Sequence, residues 1–198
     1  MAAKSEEAAH EAIHLEGSNK KIALLISVIA LFLAFSETLG KSAQTAGIGY
    51  NVEASNLWAF FQAKTIRMTA VRTAAEAVEL DIVATADPAQ RAAKLKRIET
   101  WQKTAARYDT EPETREGRKE LAARAIAAEK KRDDSLTRYH HYEIASAALQ
   151  IGIVLASASV ITGMMALAWG AGALGLLGVA ITGLGLFRPE LLHALHLI

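Results

Sequence analysis

The stretch that decides the fold is Ile144–Phe187, IASAALQIGIVLASASVITGMMALAWGAGALGLLGVAITGLGLF, 44 residues without Asp, Glu, Lys, Arg or His. One bilayer crossing takes about 20 apolar residues at roughly 1.5 Å rise each. The run is therefore too long for one span and suits two spans joined by a tight turn. Trp169-Gly170-Ala171-Gly172 is the natural turn, with Trp169 suited to the headgroup level. This predicts membrane helices over 143–168 and 172–187, and a short amphipathic tail over 188–198.

A second apolar run lies upstream. Ile22–Phe35 (IALLISVIALFLAF) carries no charge and one hydroxyl, and it extends to Leu39 if Glu37 sits at its polar end. Residues 22–39 would span roughly 27 Å, enough to cross a bilayer core with little tilt. The run is long, lacks a small-x-small cleavage site and starts only at residue 22, which favours an uncleaved span over a signal peptide. The expected fold class is all-α: an integral membrane protein with three transmembrane helices, preceded by a polar tail over 1–21.

Composition agrees. The 198 residues hold 22 Lys+Arg and 21 Asp+Glu, 22% charged beside 52% hydrophobic, so polar and apolar residues are segregated along the chain. There is no Cys, which excludes a disulfide framework, a thiolate metal site and a cysteine nucleophile. The formal net charge of +1 gives no bulk electrostatic case for a nucleic-acid partner.

Residues 40–142 hold most of the charge. Leu57, Phe61, Lys64, Met68, Val71, Ala75, Val78 and Ile82 recur at alternating steps of four and three, a heptad seam broken only by Lys64. Asp87-Pro88 reads as an N-cap followed by Pro at the first helical position. A second helix over about 88–108 places Leu95, Ile98, Gln102, Ala105 and Tyr108 on one side. The segment Asp109–Gly117 breaks it, and a third helix from about Arg118 runs on into the second span. A chain that leaves the membrane near 40 and returns near 142 must reverse once, so one break is the tip of a helical hairpin. The sequence leaves open whether that tip is 87–88 or 109–117.

Both C-terminal spans carry a small-residue stripe: Gly152, Ala156, Ser159 and Gly163 on one, Ala171, Gly175, Gly178, Thr182 and Gly185 on the other. Small side chains at helical repeat let backbones approach where lipid supplies no hydrophobic drive. The stripes suit packing of these two helices as an antiparallel pair, or packing against another subunit. Trp58, Tyr139, Tyr142 and Trp169 are expected to form a belt at the membrane interface.

Motifs with chemistry are few. His10-Glu11-Ala-Ile-His14 matches H-E-x-x-H, where two His one helical turn apart bind zinc and the Glu acts as base. It lies in a tail of small and charged residues, and no downstream helix offers a third ligand, so neither a zinc protease nor any cofactor is expected. His140-His141 point about 100° apart on a helix and cannot chelate one ion together. His193 and His196 fall in an amphipathic segment suited to a membrane surface. No ionisable residue lies deep in any span, whereas Ser146, Gln150, Ser157 and Thr162 put hydroxyl and amide groups on the second span.

The order of elements resembles the bacterial family called domain of unknown function 4337. It is carried by the His- and Glu-containing tail, the first span, and Asn56-Leu-Trp-Ala-Phe-Phe-Gln-Ala-Lys64. A helical middle follows, ending in Arg138-Tyr-His-His141 before Leu149-Gln-Ile-Gly-Ile-Val-Leu155. The resemblance implies a three-helix membrane architecture and no activity, and it brings no catalytic or binding residues. Lys20 and Lys21 before the first span favour a cytoplasmic N-terminus, whereas Lys41, Lys130, Lys131, Arg132, Arg138 and Arg188 together favour a cytoplasmic middle domain. The reading that results is a non-enzymatic, homo-oligomeric organising protein of the bacterial inner membrane, partnered by the bilayer and by itself. The alternative is an oligomeric conduit lined by the polar face of the second span.

Overall fold

The computed structural model describes the backbone of residues 2–187 and the side chains of residues 19–187. The described residues are all-α, with four helices and no strand: α1 (Ala2–Ala84), α2 (Pro88–Asp109), α3 (Arg118–Thr162) and α4 (Met165–Phe187). Three of them, α1, α3 and α4, are long and apolar enough to cross a membrane. The chain divides into two compact units, Met1–Gly47 with Asp133–Ile198, and Ile48–Arg132.

In the first unit, α4 lies antiparallel to α3 and parallel to α1. A Cβ built on Gly152 would meet the Ala171 carbonyl oxygen at 3.3 Å, one on Gly178 would meet Leu149 Cγ at 2.6 Å, and one on Gly185 would meet His141 Cβ at 3.0 Å. As residue numbers rise along α3 they fall along α4. Ile29 of α1 sits 3.1 Å from the Cβ position of Gly175, and Ile22 packs with Ala156 and Ala171. Absent side chains thus set the helix spacing, and dispersion at close range replaces the hydrophobic drive that lipid cannot supply.

The turn between the two C-terminal helices falls at Gly163-Met164, not at Trp169–Gly172 as the sequence suggested. Gly163 takes φ +70°, which a residue without Cβ adopts freely, and its N–H caps the Ser159 carbonyl at 2.9 Å. The Ser159 hydroxyl donates to the Met164 carbonyl at 3.0 Å and Met164 N donates to the Thr162 hydroxyl at 3.3 Å, closing the turn. Ala171 is instead buried inside α4 under Gly152. The physical reason is that small residues flanking Trp169 act as helix-contact surface, while the stripe residue Gly163 acts as the breaker. The 23 residues of α4 extend about 34 Å, a full crossing, where 172–187 alone would reach only about 24 Å.

In the second unit the chain reverses at Thr85–Asp87. Asp87 is an extended N-cap whose carboxylate accepts from Ala89 N at 2.8 Å, and Pro88 opens α2. Lys94 reaches Asp81 at 2.6 Å and Gln102 reaches Glu79 at 3.4 Å, so α2 runs antiparallel to α1. Further along α1, Arg118 bonds Thr65 at 2.8 Å and Trp58 donates to Glu129 at 2.9 Å, so α3 takes over the same antiparallel course. The 110–117 break is therefore a side step. Glu120 of α3 reaches back to Glu111 N at 3.2 Å, and Gly117 leaves room for Glu111 and Thr110 to cross over it.

Candidate functional site

The residues that chemistry can use converge in the first unit, where the apolar run of α1 gives way to polar residues. Ser36 is fully buried there. Its hydroxyl donates to the Tyr142 carbonyl at 3.0 Å and receives Ser146 Oγ at 3.1 Å, and Thr182 Oγ1, which donates to the Gly178 carbonyl at 2.8 Å, lies 3.4 Å away. All three helices of the unit thus meet at one hydroxyl. Each hydroxyl finds a partner, which a buried polar group in an apolar bundle requires.

Beside this node a cleft of about 460 Å³ lies between α1 and α3. The register of the two helices puts Glu37 and Lys41, one helical turn apart on α1, opposite Tyr139, Glu143 and Gln150 on α3. Gln150 Nε2 donates to Glu37 at 3.2 Å, Tyr139 O–H donates to Glu143 at 3.4 Å, and His140 Nδ1 lies 3.5 Å from the other Glu143 oxygen. Gly40 forms part of the wall, its Cβ position 3.3 Å from Tyr142 Cβ. Sequence reading placed Glu37 only as the end of a span, and Ser146 and Gln150 either on a pore or in hydrogen bonds between helices; here both bond α1. Spacing held a signal for the node: Ile22, Ile29 and Ser36 fall seven apart and are all buried.

His141 adjoins this region. It is buried, Nδ1 is 2.6 Å from the Thr137 carbonyl, and Nε2 has no hydrogen-bond partner among the described residues. An Nδ1–H donating to that carbonyl fits the arrangement. His140 is exposed on the same helix.

The small-residue positions are placed as follows. Gly152, Ala156 and Ser159 of α3 and Ala171, Gly175, Gly178 and Gly185 of α4 are buried, Thr182 is half-buried, and Gly163 stands exposed in the turn. Apart from Gly163 they are brought together within one chain. Tyr142 is 3% exposed, a core residue against Gly40 and Gly185, because those glycines open a slot for its ring. Tyr139 lines the cleft and Trp169 is 78% exposed on α4. Trp58 belongs to the second unit, edge-on to Phe61 at 5.4 Å and packed against Leu57, Leu121 and Ala125.

The seam of α1 is occupied by the chain's own helices. Leu57 and Met68 are buried, and Phe61, Val71, Val78 and Ile82 are half-buried. Lys64, the apparent flaw in the heptad, is 6% exposed. Its ammonium lies 3.5 Å from Glu111 and 3.9 Å from Glu116, over the rings of Phe60 and Tyr108. Arg118 repeats the device one turn on, bonding Asp109 at 3.2 Å with its guanidinium over Phe61. These two cations pin the side step to α1. Sequence reading missed that, because the groups each cation joins across the helices, Lys64 with Glu111 and Arg118 with Thr65, lie about 50 residues apart.

No group of three or more His, Asp or Glu side chains among the described residues could hold a metal. His10, Glu11 and His14 fall where side chains are not described, and His193 and His196 lie outside the described residues.

Compared with known protein families, residues 18–188 match the model described as Domain of unknown function (DUF4337). No curated protein and no solved structure matches the chain.

Proposed function

The chain belongs to the DUF4337 family, and from its architecture we propose a non-enzymatic organising protein of the bacterial inner membrane. Helices α1, α3 and α4 anchor it as three spans. Residues between the first two spans form an extramembrane helical hairpin with its tip at Thr85–Asp87, on the cytoplasmic side, where the positive-inside rule applied to the whole chain puts it. The bilayer and further copies of the chain are its partners, and it needs no cofactor.

The observation that carries this reading is a second heptad line on α1, on the face away from the occupied seam. Ile48, Val52, Ala59, Ile66, Leu80 and Val83 fall on one heptad line, whose remaining positions are the polar Ser55, Gln62, Thr69, Thr73 and Glu76. The five large apolar side chains on it are 53–82% exposed. An apolar 3.5-residue repeat left open on a long helix is the pattern that coiled-coil pairing between copies requires. Because the inner seam and the small-residue stripes are satisfied within one chain, self-association falls to this line.

The conduit alternative has less support. Ser146 turns inward to Ser36, Gln150 bonds Glu37 of α1, and Ser157 and Thr162 donate to the carbonyls of Ile153 and Ala158, one turn back on the same helix, at 2.8 Å. Native mass spectrometry in mild detergent, with metal analysis of the same sample, tests the proposal. A defined multimer without metal, reduced to monomer by Ile66→Glu with Leu80→Glu at unchanged helicity, is the expected result. A wild-type monomer would overturn self-association, and stoichiometric zinc lost on His14→Ala would reopen the enzyme.

A further inference from the structure

We propose that the cleft between α1 and α3 in the first unit is a binding site for an ammonium–phosphate group of the phosphoethanolamine type. The inference stands apart from self-association, which uses a face of the other unit. Its volume of about 460 Å³ falls within the range of about 300–1,000 Å³ usual for small-ligand pockets. The charged side chains in its wall are Glu37, Glu143 and Lys41.

The two carboxylates stand exposed at the ends of the apolar runs. Phe35 precedes Ser36 and Glu37 directly, and Glu143 is followed by the 44-residue stretch without ionisable groups. Among the described residues neither Glu has a Lys or Arg partner. Glu37 receives a neutral amide, and Glu143 receives a phenol and an imidazole. Carboxylates at the edge of an apolar span call for a cation, and among the described residues only the His140 imidazole, 3.5 Å from Glu143, lies within ion-pairing distance of either. An ammonium in the cleft meets a carboxylate of its wall, with Tyr139 beside Glu143 as an aromatic neighbour. Lys41, one turn from Glu37 and without a carboxylate partner among the described residues, meets the adjoining phosphate.

That combination exists as the headgroup of an amine-bearing phospholipid and as the soluble phosphate ester, and binding assays separate the two. Delipidated full-length protein in mild detergent is titrated with dioleoyl phosphatidylethanolamine, dioleoyl phosphatidylglycerol or phosphoethanolamine, and bound ligand is counted by native mass spectrometry. One phosphatidylethanolamine per chain is expected, held about tenfold more tightly than phosphatidylglycerol, as loss of a charged hydrogen-bond partner implies. Glu37→Gln with Glu143→Gln removes that preference, while helicity and lipid-free melting stay as in the wild type. If the pair does not fold, Lys41→Glu, a change at an exposed position, must still weaken retention severalfold. Retention of phosphoethanolamine with the same Glu dependence supports the site and makes its ligand soluble. Equal retention of both lipids, or unaltered binding by the variants, overturns it.

Discussion

At the scale of single residues, the glycines of α4 divide into two kinds. Gly178 has Leu149 Cγ and Cδ2 at 2.6 and 2.9 Å from its Cβ position and the Ala145 carbonyl at 3.1 Å, so even one methyl group must push α4 away from α3. Gly172 and Gly183 have open space there. Gly178→Ala should therefore lower stability by about 1–3 kcal/mol, the usual range for overpacking. Gly183→Ala should leave it unchanged or raise it slightly, since Ala is the better helix former. Thermal melts in one detergent make the comparison, and equal melting points would remove the close-approach argument. Arg115 sits at φ 58°, in the left-handed region a Cβ disfavours, with its side chain exposed. Arg115→Gly should stabilise the second unit by about 1 kcal/mol, read from its denaturant midpoint.

Lys64 is the residue whose role sequence reading could not give. A lone lysine in a heptad seam looks like a defect, and only the fold brings Glu111, Glu116, Phe60 and Tyr108 around it. Glu111 and Glu116 keep some contact with water, so the cost of removing the ammonium is below that of breaking a fully buried pair. Lys64→Met should destabilise the second unit by about 1–2 kcal/mol and free the 110–117 segment. Faster tryptic cleavage after Arg115 would report that loosening, and an unchanged cleavage rate would deny Lys64 the role of a pin.

At the scale of elements, helix ends were legible where one residue's local chemistry sets them. Asp87-Pro88 announced the start of α2 because an N-cap and a first-turn proline act within a few residues. Asp87→Ala should cost about 1 kcal/mol of stability in the second unit. The start of α3 near Arg118 was legible for a similar reason. Its direct continuation into the second span was legible as an unbroken helical pattern. The turn between α3 and α4 was not. Thirteen glycines are available in the chain, and in an apolar helix a glycine can serve equally as breaker or as contact surface. Gly163 became the breaker because Ser159 and Thr162 are placed to bond across the turn. Which of two chain breaks is the reversal point also depended on distant partners, through the pairings of Lys94 with Asp81 and Arg118 with Thr65.

At the scale of the whole molecule, the outcome is that both helix-pairing patterns visible in the sequence are consumed internally. The small-residue stripes close the first unit and the 57–82 seam closes the second. An assembly of copies must then use what is left exposed, which is why the Ile66 and Leu80 line is the place to cut. Replacing Ser157 and Thr162 with Leu gives the complementary result. An organising protein should assemble as before, because the Ser157 hydroxyl bonds only its own helix and Thr162 Oγ1 reaches no further than Met164 N of the adjoining turn. A conduit would lose flux across liposomes at intact assembly.

The sequence by itself determined the class: three apolar helices, a charged helical middle, the caps that bound α2, and the family to which the chain belongs. These follow from hydropathy and from short-range backbone chemistry, which act within a few residues and so are written locally. Tertiary structure alone decided which glycine turns the chain and which face of α1 stays open. It also decided that Ser36, Glu37, Lys41, Tyr139, Glu143 and Gln150 share one cleft although about 100 residues part the two groups. Those outcomes rest on the register between antiparallel helices. Register is fixed only when side chains from remote segments compete for the same space.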